Sequence, residues 1–363
     1  MAYNILGVNP FHNGSACVLS DGEIVYYLEE ERLSKRKYDA NPFRVILDIL
    51  DRFKIDLVMV AGINLNDKYL GYDDECPFSS LIRKFHPQME VRKVSDYHHD
   101  CHLAQTYYNS GFLNSLGVVI DSGGSFIKNK GMELDSLYIC SSTDTIKNII
   151  KNYIKYNLPT ESQTPQSLNI AASYTIISEY LGFNKNEEGK TMGLSSYGKY
   201  NPLFPNFFKG NNSDNNILYE VLNSNGGKEG TFITSQFQLP SKKKDFLNYS
   251  SLEKDLAWHI QNDTQQIVGD YIEKYTKETG VKQVCCSGGY FLNCVANYYL
   301  TKRFPDIEFY FEPLSHDGGT AIGAAKLAWQ SKTKDTTIRP QKTLYYGPQY
   351  SKEQLLEGIK KYT

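Results

Sequence analysis

The sequence contains no apolar run approaching 18 residues, so no membrane-spanning helix is expected. It opens on a strand-like run at residues 4–8 and shows no signal-peptide pattern. The formal net charge is −2, so the chain as a whole has no positive charge to attract nucleic acid or an anionic membrane. Such binding would require a local basic patch. Seven cysteines form no Cys-x-x-Cys pair, so a zinc ribbon is not expected. Cys17, Cys140, Cys285 and Cys286 lie in apolar runs and are predicted to be reduced, buried thiols of a cytoplasmic protein.

The clearest chemical signal is a pair of histidines in a chain of 363 residues, which is long enough for two lobes around a cleft. His98 and His102 are four residues apart, which on a helix places both imidazoles on one face, where they could bind one transition-metal ion. The apolar run 117–120 is typical of a buried strand and ends at Asp121, a third potential ligand. A lone His-x-x-x-His pair also arises by chance, so the metal interpretation depends on the other strand ends.

Two further predicted strands end in glycine pairs. The strand at 282–286 runs into Ser287-Gly288-Gly289, and the strand at 307–311 leads into Asp317-Gly318-Gly319. A strand, a tight turn and a helix start leave backbone N–H groups for a phosphate or ribose, although a plain strand-to-helix turn is the alternative. Asp317 is a fourth potential metal ligand.

The first fifty residues predict three strands within 3–30, the last two joined by an Asp21-Gly22 hairpin turn. The polar turn between the first two strands contains His12, and actin-like ATPase domains open in this way. The charged run 29–37 is expected to be a solvated helix. Residues 41–53 predict an amphipathic helix with Pro42 in its first turn.

Later elements follow from periodicity and turn signals. Strands are predicted at 57–63 and 137–142, and helices at 165–183, 250–279 and 321–329. Ser250 and Glu253 have the spacing of a capping box. Residues 64–90 are expected to be rich in loops. Residues 199–250 are rich in Asn, Gly, Ser and Lys and are expected to form a surface insertion.

Six motifs occur in the order found in the nodulation-type and antibiotic O-carbamoyltransferases, and together the sequence resembles that family. They are Phe11-His12-Asn13-Gly14-Ser15, Glu29-Glu30-Glu31-Arg32, His98-His99-x-x-His102, Glu188-Gly189-Lys190-x-Met192-Gly193-Leu194, Gly288-Gly289-x-x-Leu292-Asn293-Cys294-x-x-Asn297 and Asp317-Gly318-Gly319-Thr320-x-Ile322-Gly323-Ala324-Ala325.

The resemblance implies an α/β protein with the actin-like (ASKHA) two-lobed ATPase fold, in which mixed sheets are flanked by helices. The implied first lobe is 1–115 and the second is 116–335, including the insertion at 199–250. Residues 336–363 would form the junction to a YrdC-like domain, which in full-length members makes carbamoyl-adenylate from ATP and carbamoyl phosphate. The first domain then moves the carbamoyl group to a hydroxyl. Because the sequence stops shortly after this junction, a separate subunit is expected to supply that domain, unless it was cut away.

The same resemblance assigns roles to individual residues. His98, His102, Asp121 and Asp317 would hold one divalent ion, expected to be Fe(II), although two imidazoles and two carboxylates also suit Zn or Mn. Residues implied to bind the nucleotide are Lys190, Gly288, Gly289, Asn293, Gly318 and Gly319. A solvated surface role is the alternative for Lys190.

His12 is the implied catalytic base, because a neutral imidazole can take the proton of an acceptor hydroxyl near pH 7. Lys37 or Arg36 would supply positive charge to the oxyanion, or would belong to a solvated basic run. The sequence departs from the family pattern at four positions. Asn13 stands where Asp is usual, Cys101 and Leu103 replace small residues beside the last histidine, and His316 precedes Asp317 and could donate to it.

Three classes of function remain open at this stage. An O-carbamoyltransferase subunit would act on a small metabolite or sugar, or on a hydroxymethylpyrimidine such as 5-hydroxymethylcytosine in DNA. For DNA, the grip on a flipped base would come from the Lys and aromatic residues of the insertion, which are Phe207, Phe208, Lys209, Lys242, Lys243 and Lys244. A tRNA threonylcarbamoyl transferase-like protein and a non-catalytic nucleotide-binding scaffold are the alternatives. The oligomeric state is left open, and no membrane partner is expected.

Overall fold

Two mixed β-sheets form the frame of the computed structural model. It describes residues 2–61, 77–93, 98–127, 130–142, 146–154, 170–204, 207, 248–335 and 337–361. Within these residues, no helix combines the length and hydropathy that a bilayer crossing requires.

The first sheet contains five strands in the order β3-β2-β1-β4-β5. The strands are β1 (Asn4–Asn9), β2 (Ser15–Ser20), β3 (Glu23–Glu29), β4 (Leu57–Val60) and β5 (Val91–Lys93). The first three are antiparallel, and β1, β4 and β5 are parallel. The predicted hairpin is confirmed, since Asp21 and Gly22 have φ values of 45° and 89° and join β2 to β3.

The second sheet repeats this order. Its strands are β6 (Asn114–Ile120), β7 (Phe126–Ile127), β8 (Gly131–Ser141), β9 (Lys147–Ile154), β10 (Gln283–Ser287) and β11 (Glu308–Phe311). The path β9-β8-β6-β10-β11 has two antiparallel pairs followed by two parallel pairs, as β3-β2-β1-β4-β5 does, and β7 adds a short antiparallel pair to β8. The chain therefore contains two lobes of the same strand topology.

Helices cover both sheets. Those of the described residues are α1 (Glu30–Ser34), α2 (Phe43–Arg52), α3 (Pro77–Phe85), α4 (His98–Ser110), α5 (Ile170–Tyr180), α6 (Glu188–Ser195), α7 (Ser251–Thr279), α8 (Cys294–Arg303), α9 (Thr320–Thr333) and α10 (Lys352–Lys360), with 3-10 turns at Gly289–Leu292 and Asp317–Gly319. The predicted capping box of α7 is present, because the Ser250 N–H donates to Glu253 Oε2 at 2.6 Å.

Apolar side chains on both faces of the sheets form the cores. The first sheet packs on α2 through Val45, Ile46 and Ile49, whereas its Ile5, Leu19 and Leu57 share a cluster with Ala324, Ala325 and Ala328 of α9. The second sheet packs on α7 and α8 through Val268, Ile272 and Leu300. Cys17, Cys140, Cys285 and Cys286 are buried free thiols, as predicted.

Two glycines allow α9 to approach α4 and β1 closely. A Cβ on Gly323 would lie 1.8 Å from the carbonyl oxygen of Cys101 in α4, and a Cβ on Gly7 would lie 2.0 Å from that of Ala321. No larger residue fits these contacts without backbone movement. This crossing brings the N-terminal ends of α4 and α9 together, and the candidate site lies there.

Several expectations need correction. Residues 64–90 are not all loop, since helix α3 (Pro77–Phe85) lies within this range, although 62–76 lie outside the described residues. The run 29–37 is not a solvated helix throughout, because Glu29 and Glu30 are buried. Glu30 accepts the N–H groups of Arg44 and Val45 at the start of α2, so it stabilises the positive end of that helix.

Three other predictions concern boundaries. Pro42 precedes α2 and does not lie in its first turn. Most of the expected insertion at 199–250 lies outside the described residues, including Phe208, Lys209 and Lys242 to Lys244, whereas Phe207 is buried in the core. The lobe boundaries at 115 and 335 and the junction at 336–363 stay predictions.

Candidate metal centre and catalytic site

The candidate site is assembled from the carboxyl ends of strands in both sheets. Asp121 follows β6, Ser287 ends β10, and Asp317 lies in the turn beyond β11. These three strands are parallel, so their carboxyl ends meet at one edge, where ligands bind in open α/β sheets. The loop after β1 carries His12 to the same place, since its Nε2 lies 3.1 Å from Asp317 Oδ2.

The structure brings the four predicted metal ligands together. His98 and His102, one turn apart at the start of α4, point their Nε2 atoms at each other across 3.0 Å. Asp121 Oδ2 lies 3.6 and 3.4 Å from these two nitrogens, and Asp317 Oδ1 lies 3.3 and 3.5 Å from them. All four ligand atoms are within 4.8 Å of one another, and all four residues are buried.

This spacing fits one transition-metal ion. Donor atoms about 2.1 Å from a shared ion are separated by about 3.0–3.4 Å at the edges of an octahedron or tetrahedron. The four nitrogen–oxygen distances, 3.3–3.6 Å, are close to that interval. His102 Nδ1 lies 3.2 Å from the Ser287 hydroxyl, a contact that leaves Nε2 as the metal-facing atom when Nδ1 carries the proton. The donor set therefore suits a divalent ion and does not distinguish Fe(II) from Zn or Mn.

The four groups also perturb one another electrostatically. Burial alone would lower the pKa of His98, but Asp317 and Asp121 outweigh burial and raise that pKa to about 10. The pKa of His102 is likewise raised by the two carboxylates against the effect of burial. Burial would raise the pKa values of Asp121 and Asp317, and for Asp121 the negative charge of Asp317 adds to this effect. The imidazoles nevertheless hold the pKa of both carboxyl groups well below the usual range. The site thus strongly favours two negative carboxylates facing positive charge.

His12 stands beside this cluster with its side chain about half exposed, at 49%. Its Nε2 contacts Asp317 Oδ2, the carboxylate oxygen that does not face the other histidines, and its Nδ1 lies 3.1 Å from Asn13 Oδ1. Asn13 has no carboxylate with which to orient His12, and Asp317 supplies one instead. This arrangement holds the His12 imidazole at the open side of the cluster.

A second histidine supports the Asp317 turn. His316 Nδ1 accepts the N–H of Gly318 at 3.0 Å, and its Nε2 lies 3.5 Å from Glu29 Oε1. The Tyr27 hydroxyl donates to the same Glu29 oxygen at 3.2 Å. Glu29 is therefore buried against His316 and helps to orient it just before Asp317. A residue of a solvated run would not have this role.

Close packing accounts for glycine at both pairs, Gly288-Gly289 and Gly318-Gly319. A Cβ on Gly288 would lie 2.3 Å from the Ile120 carbonyl oxygen, and a Cβ on Gly289 would lie 3.1 Å from Asp121 Oδ1. A Cβ on Gly319 would lie 2.1 Å from the Leu314 carbonyl oxygen. Three of the four glycine N–H groups are used within the protein, since those of Gly288, Gly318 and Gly319 donate to Ser315, His316 Nδ1 and the His316 carbonyl. Their nucleotide-binding role stays a prediction.

Asn293 is likewise used internally. Its Oδ1 accepts the N–H of Ala296 and caps α8, while its Nδ2 donates to Gln261 Oε1 at 2.8 Å. Both ends of the amide therefore have protein partners, and the helix cap explains the residue without a ligand. Its assignment to the nucleotide stays a prediction.

The two candidate lysines lie on neighbouring surface segments. Lys37 is exposed over the ring of Tyr38, and the Tyr38 hydroxyl donates to the Asn186 carbonyl at 2.9 Å, just before α6. Lys190 in α6 is exposed and pairs with Glu187 at 2.6 Å. The hydrogen bond from Tyr38 to Asn186 joins the first lobe to the segment that carries Lys190. The roles of Lys37 and Lys190 stay predictions.

Two departures from the family pattern are core residues. Cys101 is fully buried in the cluster beneath α9, and Leu103 packs on Val119 and Tyr138 of the second sheet. Both side chains pack in apolar clusters, so these two departures alter packing and do not belong to the donor set.

Sequence reasoning missed two buried polar residues. Ser287 orients His102, and Glu133 accepts N–H groups next to the ligands. A charged residue within the apolar strand β8 was the available signal for Glu133.

The fold and site together define an actin-like two-lobed α/β protein with a candidate metal centre where its lobes meet. The profile of the family "Carbamoyltransferase N-terminus" matches residues 79–326. The chain belongs to this family, which confirms the resemblance drawn from the motifs.

Two curated relatives are nodulation proteins. Nodulation protein NolNO of Sinorhizobium fredii is 24% identical over 383 residues, covering 95% of this chain and 50% of the relative. Nodulation protein NolO of Bradyrhizobium diazoefficiens is 27% identical over 270 residues, covering 72% of this chain and 43% of the relative. The chain therefore spans about half the length of the curated relatives it matches.

Among solved structures, the crystal structure of T. kodakarensis HypF aligns with a TM-score of 0.54 at 13% identity. The alignment covers 93% of this chain and 49% of HypF. At this identity the likeness concerns the fold alone, and it confirms the predicted fold class.

Proposed function

We propose that this chain transfers a carbamoyl group from carbamoyl-adenylate to a hydroxyl acceptor, as the transferase part of an ATP-dependent O-carbamoyltransferase. The observation that carries the proposal is the convergence of His98, His102, Asp121 and Asp317 on one point, with His12 against it. Family membership supports the carbamoyl chemistry.

The proposed reaction needs a base, an electrophile and a leaving group. The acceptor oxygen forms a bond to the carbamoyl carbon, the bond from that carbon to the phosphate oxygen breaks, and AMP leaves with the electron pair. His12 takes the hydroxyl proton at Nδ1, since Nε2 is held by Asp317 and the imidazole is half exposed; the hydroxyl replaces the contact of Nδ1 with Asn13 Oδ1. A bound divalent ion would supply Lewis-acid stabilisation of phosphate charge, held by the four buried ligands.

The donor would be made elsewhere. We propose that a YrdC-like adenylate-forming domain, as a separate chain or as further sequence, makes carbamoyl-adenylate from ATP and carbamoyl phosphate. The two nodulation relatives are about twice as long as the part that matches this chain, and this extra length could hold such a domain.

The acceptor is proposed by chemistry only. A small hydroxylated metabolite or sugar is our first choice, since the half-exposed His12 leaves the base open to solvent. A hydroxymethylpyrimidine in DNA is the second, and the lysines proposed to grip it lie outside the described residues.

The test is a reconstituted transfer assay. The chain is incubated with ATP, carbamoyl phosphate, Fe(II) and a YrdC-like partner, together with a panel of sugars and hydroxymethylated DNA, and products are analysed by mass spectrometry. We expect one acceptor to gain one carbamoyl group with wild-type protein and with Asp306→Asn, an exposed acid in a turn of the second lobe. We expect no gain with His102→Ala. Equal transfer by His102→Ala and wild type would reject the proposed site.

A further inference from the structure

A buried carboxylate lies between the two segments that carry the metal ligands. Glu133 of β8 is completely buried, and its Oε2 accepts the N–H of Ser125 at 3.1 Å and that of His99 at 3.4 Å. His99 lies between the two ligand histidines in sequence, and Ser125 belongs to the loop that follows Asp121. One side chain therefore joins helix α4 to the Asp121 loop.

The helix start is held by the same group of residues. The Ser125 hydroxyl accepts the N–H of His98 at 3.0 Å. The first N–H groups of a helix have no partner within the helix, so Ser125 and Glu133 satisfy two of them. The backbone of Glu133 also pairs with the loop, because its carbonyl accepts the Gly124 N–H at 2.8 Å and its N–H donates to Ser125 at 3.0 Å.

Lys151 of β9 completes this network. Its Nζ lies 2.6 Å from Glu133 Oε1 and 3.0 Å from Asp100 Oδ1, in the first turn of α4. The Tyr138 hydroxyl donates to the same Asp100 oxygen at 2.7 Å. The ammonium thus compensates the buried charge of Glu133 and adds a second attachment to the ligand helix.

We propose that the Glu133–Lys151 ion pair is the positioning element of the metal centre, setting the distance between the two ligand histidines and Asp121. The inference rests on the proposed function, since it takes the four-residue cluster to be a metal site. Neither residue touches the ligand atoms. Glu133 acts through the backbone N–H groups of His99 and Ser125, which are one residue from His98 and four from Asp121. Lys151 acts through Asp100, which is two residues from both His98 and His102.

The physical reason is that a donor set binds an ion tightly only when its geometry is fixed before the ion arrives. Loss of outer partners of metal ligands weakens metal affinity by about 10- to 100-fold. A role limited to folding would change the melting temperature and leave the properties of the bound ion unaltered.

The test measures Co(II) binding to the metal-free full chain by its visible absorption. The variants are Glu133→Gln, Lys151→Met, the conservative Lys151→Arg, and the double variant of Glu133→Gln with Lys151→Met. The double variant removes both charges together, which avoids a buried unpaired charge if a single variant fails to fold. Lys147→Met is the matched control, because Lys147 is an exposed lysine on the same strand.

We expect one Co(II) per wild-type chain. Glu133→Gln, Lys151→Met and the double variant should bind it about 10- to 100-fold more weakly with an altered visible band, whereas Lys151→Arg and Lys147→Met should resemble wild type. Folded variants with wild-type affinity and an unchanged band would overturn the positioning role alone, and the double variant decides if the single variants do not fold. A wild-type chain that binds no Co(II), Zn(II) or Fe(II) would overturn both this inference and the proposed metal centre.

Discussion

Asp317 is the residue that links the candidate metal site to the proposed base. One carboxylate oxygen lies 3.3 and 3.5 Å from the imidazoles of His98 and His102, and the other lies 3.1 Å from His12. Asp317→Asn keeps the shape of the side chain and removes its charge. It should therefore weaken metal binding and also withdraw the carboxylate that holds His12.

The magnitude follows from the number of ligands. Four-ligand zinc sites contribute about 10–16 kcal/mol on binding, so one ligand of four accounts for about 2.5–4 kcal/mol, or roughly 100- to 1,000-fold in Kd. We expect Asp317→Asn to show a loss of this size for Fe(II) or Zn(II), together with loss of carbamoyl transfer.

The assay is a competition titration of metal-free protein against a chelator of known affinity, followed by the transfer assay on the same preparations. Asp306→Asn is the matched control, since it makes the same chemical change at an exposed turn. If Asp317→Asn and Asp306→Asn bind the ion equally well, the four-ligand interpretation is refuted.

Three further predictions concern catalysis, packing and pH. His12→Ala should lower the transfer rate by about 10²- to 10⁴-fold while leaving metal affinity unchanged, measured by single-turnover transfer and metal titration. Gly323→Ala should destabilise the protein by about 1–3 kcal/mol or more, because its Cβ would meet the Cys101 carbonyl, and chemical denaturation measures this. Burial raises the pKa of Asp135 to about 7, so the native state holds its proton between pH 4 and 7 and the unfolded state does not. Wild type should therefore lose stability as pH rises through this window, by up to about 1.4 kcal/mol per pH unit relative to Asp135→Asn.

Each of these predictions has a matched reference or a contrary result. Gly193→Ala places the same methyl group on α6, where nothing lies within 4 Å, and should stabilise by about 0.5–1 kcal/mol. Equal denaturation midpoints for Gly323→Ala and Gly193→Ala would contradict the packing argument. Retained single-turnover transfer by His12→Ala would reject the base assignment. A stability difference between wild type and Asp135→Asn that is the same at pH 5 and pH 8 would show that Asp135 is not protonated as inferred.

Local pattern was sufficient for most of the elements. The Asp21-Gly22 hairpin, the strands before the glycine pairs and the capped helix from Ser250 follow from turn chemistry and periodicity, which act over a few residues. The same reasoning failed at Glu29 and Glu30, because a charged run is buried only when partners distant in sequence, such as His316 and Arg44, are there to meet it.

The sequence by itself determined which donor types the chain possesses and, through the four-residue spacing of His98 and His102, that two of them share a helix face. The position of Asp121 and Asp317 after predicted strands, together with the family motifs, already predicted that they join the histidines. Only the tertiary structure decided the distances within this cluster, the contact of His12 with Asp317, and the link that Glu133 makes between the two ligand segments. The physical reason is that these contacts depend on parallel strands from distant parts of the chain ending at one edge. They also depend on two helices crossing at a glycine, and neither feature is encoded within any short stretch of residues.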